Sequence, residues 1–242
     1  MTDLKKLISD SRNIVFFGGA GVSTESNIPD FRSEDGIYST ISKYGHSPEV
    51  MLSHSFFISH MADFYDYYKS SLIFTGAQPN KAHLALAALE KKGVLKAVVT
   101  QNIDGLHQAA GSNNVLELHG SVHRNRCMNC GQKFPLEYIL EYHGAVPLCN
   151  KCNRPVRPEV TLYEESLDMD VLEKAVGFIQ RADVLIVGGT SLAVYPAAGL
   201  INYYTGNKLV LINKTPTPYD SKASLVINDS IGKVLGEAVL DL

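Results

Sequence analysis

The sequence predicts an α/β fold: an open, Rossmann-like doubly wound parallel sheet that carries a smaller domain made of a zinc ribbon and a helical insert. Three observations predict it. Short β-branched runs alternate with amphipathic helical stretches along the chain. The runs are apolar at consecutive positions, as in Ile14-Val15-Phe16-Phe17 and Val184-Leu185-Ile186-Val187, which is the pattern of strands covered by helices on both faces. Four cysteines fall as two Cys-x-x-Cys pairs in a polar stretch that breaks the alternation, a spacing that points to a metal-stapled module.

Taken in order, the expected strands are 13–17, 95–100, 115–118, 184–187, 208–212 and 225–227. Helical periodicity covers 80–92, opened by Asn80 as N-cap and closed by Gly93, and 169–181 after Asp168. Two stretches depart from this rhythm. Residues 38–74 are helical and aromatic, with Phe56, Phe57, Phe64, Tyr65, Tyr67 and Tyr68, and residues 127–152 are polar and carry the cysteines. Read as insertions, they leave a Rossmann-like body of residues 1–36, 75–120 and 158–242. The small domain then joins a helical insert, 37–74, to a zinc-binding module, 121–157. Thr215-Pro216-Thr217-Pro218 is expected to be a loop joining strand to strand.

Composition narrows the function classes. With 45% hydrophobic and 19% charged residues in 242, the chain is neither disordered nor of low complexity. Its 22 basic and 25 acidic residues give a formal net charge of −3, which offers no long-range attraction to phosphate backbones or anionic lipid. Neither nucleic acid nor a membrane surface is an expected partner. No apolar run approaches the roughly 18 residues that span a bilayer, and Met1-Thr2-Asp3-Leu4-Lys5-Lys6 has no apolar leader segment. A cytoplasmic location is expected, and in a reducing compartment paired cysteines point to metal before disulfide.

Cys127-Met128-Asn129-Cys130, eighteen intervening residues and Cys149-Asn150-Lys151-Cys152 make two knuckles that can each aim two thiolates at one ion. Together they complete a tetrahedral zinc site with no position open for water. The competing readings are two redox-active dithiols or unrelated buried cysteines; a redox pair needs only one motif and usually sits at a strand-to-helix turn.

Phe17-Gly18-Gly19-Ala20-Gly21-Val22-Ser23 follows the first strand. Glycines there let a backbone approach a pyrophosphate, and amides at the following helix start can bind it. A tight structural turn accounts for them almost as well, because the third glycine of the dinucleotide fingerprint and an acidic ribose ligand are both missing. The loop runs on as Thr24-Glu25-Ser26-Asn27-Ile28-Pro29-Asp30-Phe31-Arg32-Ser33, either a functional connection or a solvated one.

Polar and glycine residues gather where the strands end. Thr100-Gln101-Asn102-Ile103-Asp104 follows the second strand, His119-Gly120 the third, Gly188-Gly189-Thr190-Ser191 the fourth and Asn213 the fifth. Open α/β sheets bind ligands at that edge. The run 100–104 also suits a helix cap, with Asn102 or Asp104 as N-cap. Of eight histidines only His119 stands at this edge, where a side chain titrating near neutrality can act as a general base. His83 reads as a packed, hydrogen-bonded core residue; His46, His54, His60, His107, His123 and His143 have no distinguishing context.

Together these motifs resemble the sirtuin family of NAD-dependent protein lysine deacylases, in its short bacterial form, over essentially the whole chain. The family's Gly-Ala-Gly-x-Ser-x-x-x-Gly-Ile-Pro-Asp-Phe-Arg signature is matched by residues 19–32, with Asn27 where glycine is usual; asparagine tolerates positive φ better than other non-glycine residues. Gln101 to Asp104, His119-Gly120, the four cysteines and the run from Gly189 to Ala197 match the family's other motifs in order.

The resemblance implies NAD as cosubstrate, structural zinc, and acetylated-lysine proteins or peptides as partners. It implies that the acyl group of acyl-lysine is transferred to ADP-ribose with release of nicotinamide and O-acetyl-ADP-ribose. It places Gly19, Ala20, Gly21 and Thr24 near the pyrophosphate, Gly189, Thr190, Ser191 and Asn213 near the adenosine half, and Ser230 and Ile231 beside the adenine. Asp104 and the Ile103 backbone would hold the carboxamide, Gln101 and Asn102 the nicotinamide ribose. Phe31 would shield the reacting carbon, with Arg32 in the same cofactor set. His119 would be the base, with Asn102 also catalytic, and Cys127, Cys130, Cys149 and Cys152 would hold zinc.

Two departures bear on peptide preference: Glu164 stands where the family usually has glycine, and Thr161 where an apolar side chain packs on the lysine stem. Relatives that prefer acidic acyl groups carry a Tyr-x-x-Arg pair; here Tyr65 is present but Tyr68 stands where the arginine would be, so acetyl is expected to be favoured over succinyl. Within the same scaffold the alternative activity is mono-ADP-ribosyl transfer to protein. A zinc-ribbon nucleic-acid binder is disfavoured by the acidic balance, and a dehydrogenase by the broken fingerprint.

Overall fold

The computed structural model describes residues 2–29 and 40–240. Six parallel strands form the main sheet in the order β3-β2-β1-β7-β8-β9. They are β1 (Ile14–Gly18), β2 (Leu95–Thr100), β3 (Val115–Glu117), β7 (Val184–Gly188), β8 (Leu209–Ile212) and β9 (Leu225–Ile227). The consecutive apolar residues divide between the two faces, as strand geometry requires. Ile14 and Phe16 pack with the helices Thr2–Ser9, Lys81–Lys91 and Ile231–Leu235. Val15 and Phe17 pack with Met169–Gln180 and the 3-10 helix Ala197–Tyr203. All five residues of β1 and of β7 are buried.

Local chemistry sets the helix starts. The Asn80 side chain accepts the Ala82 N–H and His83 Nδ1 accepts the Asn80 N–H, so the two side chains close a capping box on the helix Lys81–Lys91. The Asp168 carboxylate accepts from the N–H groups of Asp170 and Val171.

A second, three-stranded antiparallel sheet has the order β5-β4-β6, with β4 (Gly120–Cys127), β5 (Lys133–Phe134) and β6 (Val156–Val160). Its buried side shares one core with the short helices of the aromatic stretch: Phe57, Phe64, Tyr65 and Tyr68 pack with Val122, Phe134 and Val156. The run after Arg157 is strand only as far as Val160; the chain then turns through Glu164 at φ +73°. The cysteine stretch is therefore part of a small sheet that contains more strand than its polar sequence indicates.

Where β1 meets β7, sequence-adjacent strands lie on opposite sides and the winding direction reverses. Gly18 is paired with Gly188 at the carboxyl ends of these two strands, so the loops Gly19–Val22 and Gly189–Leu192 leave the sheet at its switch point. That is where an open α/β sheet opens a crevice.

Candidate functional site

The two glycine loops at the switch point are pressed together. The Gly21 N–H donates to the Gly189 carbonyl at 2.8 Å. A β-carbon on Gly21 would stand 2.8 Å from Gly189 Cα, and one on Gly189, at φ +61°, 2.4 Å from the Val22 nitrogen. Glycine is thus required for loop-to-loop contact, whatever else these backbones approach. Asn27 takes the left-handed conformation, φ 62° and ψ 26°, at the end of the following 3-10 turn.

Behind this contact hydrogen bonds join four strand ends. Ser23 Oγ donates to Asp104 Oδ2 at 2.7 Å and accepts from Asn102 Nδ2 at 3.0 Å. Gln101 Nε2 donates to Thr190 Oγ1 at 3.2 Å. Thr190 and Asn213 exchange two bonds: the Thr190 N–H to Asn213 Oδ1 at 2.9 Å, and Asn213 Nδ2 to the Thr190 carbonyl at 2.8 Å. Asp104 Oδ1 also accepts the Leu106 N–H at the start of the short helix Leu106–Ala109, so one carboxylate both caps and reaches into the cleft.

Half-buried His119 stands just beyond β3. Its Nδ1 lies 2.9 Å from the Gln101 carbonyl; a carbonyl only accepts, so Nδ1 carries the proton and Nε2 is the lone-pair nitrogen of the neutral ring.

Three cavities line up along the strand ends. One of about 250 Å³ is bounded by Gly21, Thr24, Thr190, Ser191, Asn213 and Ser230, with Ile231 beside them. The next, of about 170 Å³, lies across the Ala20–Thr24 loop and is lined by Ala20, Ser23, Asn102, Ile103, Asp104 and His119. A third, of about 160 Å³, shares His119, Thr161 and Tyr163 with the second and opens between Glu164 and Tyr195. Of the expected cofactor set, Gly19 backs onto Thr190 and Gln101 lines the middle cavity. Phe31 and Arg32 lie outside the described residues.

The four cysteine sulfurs all lie within 4.8 Å of one another. Cys127 and Cys152 Sγ are 3.4 Å apart, Cys130 and Cys149 Sγ 3.6 Å. Four thiolates around zinc at about 2.3 Å would be about 3.8 Å apart, so the cluster fits that ion and is too open for disulfides. N–H groups of Asn129 and Cys130 point at Cys127 Sγ, and that of Lys151 at Cys149 Sγ. Gly131 at φ +70° and Asn153 at φ +55° turn the chain back after each knuckle.

Several contacts were invisible to the sequence reading. Glu165 accepts both Arg157 terminal nitrogens (2.9 and 3.0 Å), the Leu162 N–H and His54 Nδ1. Burial would raise its pKa, but these donors overcome that and hold it down at about 2. Glu164 accepts from the Ser55 N–H and hydroxyl, tying the turn beside the third cavity to the helical insert. His107, unremarkable in sequence, is fully buried against Phe16 and His83.

A parallel sheet with a crevice at its switch point, polar side chains converging from four strand ends and a four-thiolate module beside it define a nucleotide-cleft enzyme of the α/β class. The family model described as the Sir2 family matches residues 19–196. The NAD-dependent protein deacetylase of Clostridium tetani is 64% identical over 99% of this chain and 97% of its own length; that of Clostridium acetobutylicum is 60% identical over 97% and 96%. Among solved structures, a Sir2 complex with a p53 peptide and NAD+ superposes with a TM-score of 0.87 at 40% identity, covering 100% of this chain and 98% of the other. A Sir2 complex with deacetylated p53 peptide and 3'-O-acetyl ADP-ribose gives 0.89 at 42%, covering 100% and 97%. The chain belongs to the Sir2 family.

Proposed function

We propose that the protein is an NAD-dependent protein lysine deacetylase that transfers the acyl group of acetyl-lysine to ADP-ribose. The observation that carries this reading is the run of three cavities along the strand ends, the middle one lined by Ser23, Asp104 and His119, in a chain 64% identical to an NAD-dependent protein deacetylase. NAD, when bound, supplies a ribose carbon carrying nicotinamide as leaving group.

The chain's own residues then divide the work. The cavity of Gly21, Thr24, Gly189, Thr190, Ser191, Asn213, Ser230 and Ile231 takes the adenosine and pyrophosphate part. Its exchanged Thr190–Asn213 bonds fix the polar groups before any ligand arrives. Asp104 and the Ile103 backbone hold the carboxamide, and Ser23 keeps the Asp104 carboxylate aimed. Gln101 and Asn102 hold the adjoining ribose. His119, with Nδ1 committed to the Gln101 carbonyl, removes a hydroxyl proton through Nε2. The acyl-lysine enters between Thr161, Glu164 and Tyr195, where His119 joins the second and third cavities.

Cys127, Cys130, Cys149 and Cys152 would hold zinc with protein sulfur alone, and the role of such a site would be to fold the small sheet. We read the chain as a Rossmann-like body of 1–36, 75–120 and 158–242 and a small domain of 37–74 and 121–157; the aromatic core shared by the helical insert and the small sheet supports that division. A cytoplasmic location is supported by thiols that must stay reduced to bind metal; among the described residues no helix is long and apolar enough to cross a membrane.

The experiment is mass spectrometry of an acetyl-lysine peptide incubated with protein, with and without NAD. Loss of 42 Da (~42, one acetyl group replaced by hydrogen) only with NAD, matched by O-acetyl-ADP-ribose, is the expected result. Label from NAD retained on protein would favour ADP-ribosyl transfer instead.

A further inference from the structure

We propose that His123 is a positioning residue for the nicotinamide-binding loop, acting through the backbone carbonyl of Asp104. The inference rests on the deacetylase reading above and concerns a side chain that reading does not use. His123 lies on β4 of the small sheet, and its Nε2 is 3.0 Å from the Asp104 carbonyl oxygen. A carbonyl only accepts, so Nε2–H is the donor. The same strand donates the Val122 N–H to the Ile103 carbonyl at 3.0 Å. Two successive carbonyls of the 102–105 loop are therefore held by two successive residues of the small sheet.

The second bond has a particular task. Gly105 follows at φ +75°, and a β-carbon there would stand 2.7 Å from His123 Nε2. Glycine reaches this conformation freely, but it reaches negative φ as freely, so the peptide between Asp104 and Gly105 has an alternative orientation that nothing in its own sequence forbids. The imidazole occupies the space left by the missing side chain and bonds the carbonyl in one orientation only. The Asp104 carboxylate, aimed by Ser23 Oγ and the Leu106 N–H, projects from the residue whose peptide His123 locks. Loss of the ring therefore loosens the aim of the carboxylate without removing any atom from the cleft. The ring itself is exposed and borders a cleft of about 520 Å³ that is not lined by His119 and shares Asp104 with the middle cavity, so truncation opens no core cavity.

The test compares wild type, His123→Ala and His123→Gln, the last able to donate from a side-chain amide. Exchange of labelled nicotinamide into NAD, nicotinamide inhibition and acetyl-peptide KM are measured together with thermal unfolding. His123→Ala is expected to weaken exchange and nicotinamide inhibition about fivefold, the factor one net hydrogen bond is worth. Peptide KM and unfolding temperature stay at wild-type values, and His123→Gln recovers most of the loss. Exchange by His123→Ala equal to wild type overturns the proposal. So does a Gln variant as impaired as the Ala variant, or a loss of exchange that only tracks a loss of stability. A wild-type protein with no NAD-dependent exchange or deacetylation at all fails the deacetylase reading itself, which separates the two.

Discussion

The Ser23 hydroxyl donates to the Asp104 carboxylate at 2.7 Å, joining the loop after β1 to the loop after β2 across 81 residues of sequence. A carboxylate held by a hydroxyl on one oxygen and a backbone N–H on the other cannot swing, so what it presents to a ligand is set by the fold. Asp104→Asn keeps the shape and removes the charge. Charge-assisted hydrogen bonds are worth about 1.5–3 kcal/mol, so nicotinamide exchange should fall on the order of 10- to 100-fold, with sensitivity to added nicotinamide falling in parallel. Normal exchange by the Asn variant would remove Asp104 from that role.

His119→Ala should cut deacetylation on the order of 10²-fold or more, the usual contribution of a general base, while calorimetry still detects NAD binding. The residue bonds the Gln101 carbonyl and takes no part in the Ser23–Asn102–Asp104 bonds, so its removal leaves those bonds in place. A His119→Ala protein that turns over at the wild-type rate would contradict the assignment.

The main sheet was legible because its central strands β1, β7 and β8 are buried on both faces and so carry no polar side chain; β2 and β9 have the expected bounds and the others shift by a residue at one end or both. The cysteine spacing was legible because four thiolates at one ion need only two local turns. What side chains do across the fold was not. His54, His107 and His123 have no local signature, since their partners Glu165, Phe16 and Asp104 come from distant elements. The glycines at 19 and 21 read as an approach path for phosphate, yet they and Gly189 are also demanded by the opposite loop, a requirement visible only once β1 and β7 are neighbours. The small sheet escaped the periodicity because β5 has two residues and β4 and β6 shift register midway.

Zinc should be present at one ion per chain in protein purified without chelator. Cys149→Ala removes a buried ligand and should release the metal and unfold the small sheet, since thiolate coordination supplies folding energy outright. Metal analysis checks the first statement, and protease sensitivity within residues 121–157 the second. Metal-free protein of unchanged stability would be incompatible with a structural site.

Stability should fall on mild acidification because of the pair His83 and His107. Burial holds both rings neutral, lowering His83 to about 4 against the opposing pull of the Asp104 and Glu25 carboxylates, and His107 to about 3 with a further contribution from His83. In the unfolded chain both titrate near 6.5. Unfolded protein therefore binds more protons from pH 6.5 down to about 4 at His83 and about 3 at His107, and stability is full above that window and lost as pH falls through it. By pH 5 the loss is about 2 kcal/mol per ring. Urea unfolding at pH 7.5 and pH 5 measures it, and His107→Leu should flatten the profile; identical pH dependence in that variant would assign the loss to other groups.

Deacetylation should run well ahead of desuccinylation, and the reason lies in where Tyr65 and Tyr68 sit. Both are buried in the aromatic core of the small sheet: Tyr65 OH donates to the Val156 carbonyl, and the Tyr68 ring stacks on Phe64 with centroids 5.5 Å apart. Neither lines the cavity that holds Asp104 and His119. Lys69, the nearest cation along that helix, donates to the Tyr142 carbonyl at 3.2 Å, so it is committed to the loop after the helix Leu136–Leu140. An acyl carboxylate would thus find no guanidinium to pair with from this stretch. The motif comparison alone suggests that Tyr68→Arg would narrow the gap between deacetylation and desuccinylation. The structure argues otherwise, because a guanidinium placed beside Phe64 and Tyr65 enters an aromatic core that supplies no carboxylate among the described residues and costs several kcal/mol of stability by desolvation. Tyr68→Arg should therefore lower the unfolding temperature and leave the ratio of succinyl to acetyl kcat/KM unchanged. Matched peptides assayed with both proteins decide it: a stable Arg variant with a raised ratio would place position 68 at the acyl pocket, and comparable wild-type efficiency on both peptides would require a carboxylate-binding group elsewhere.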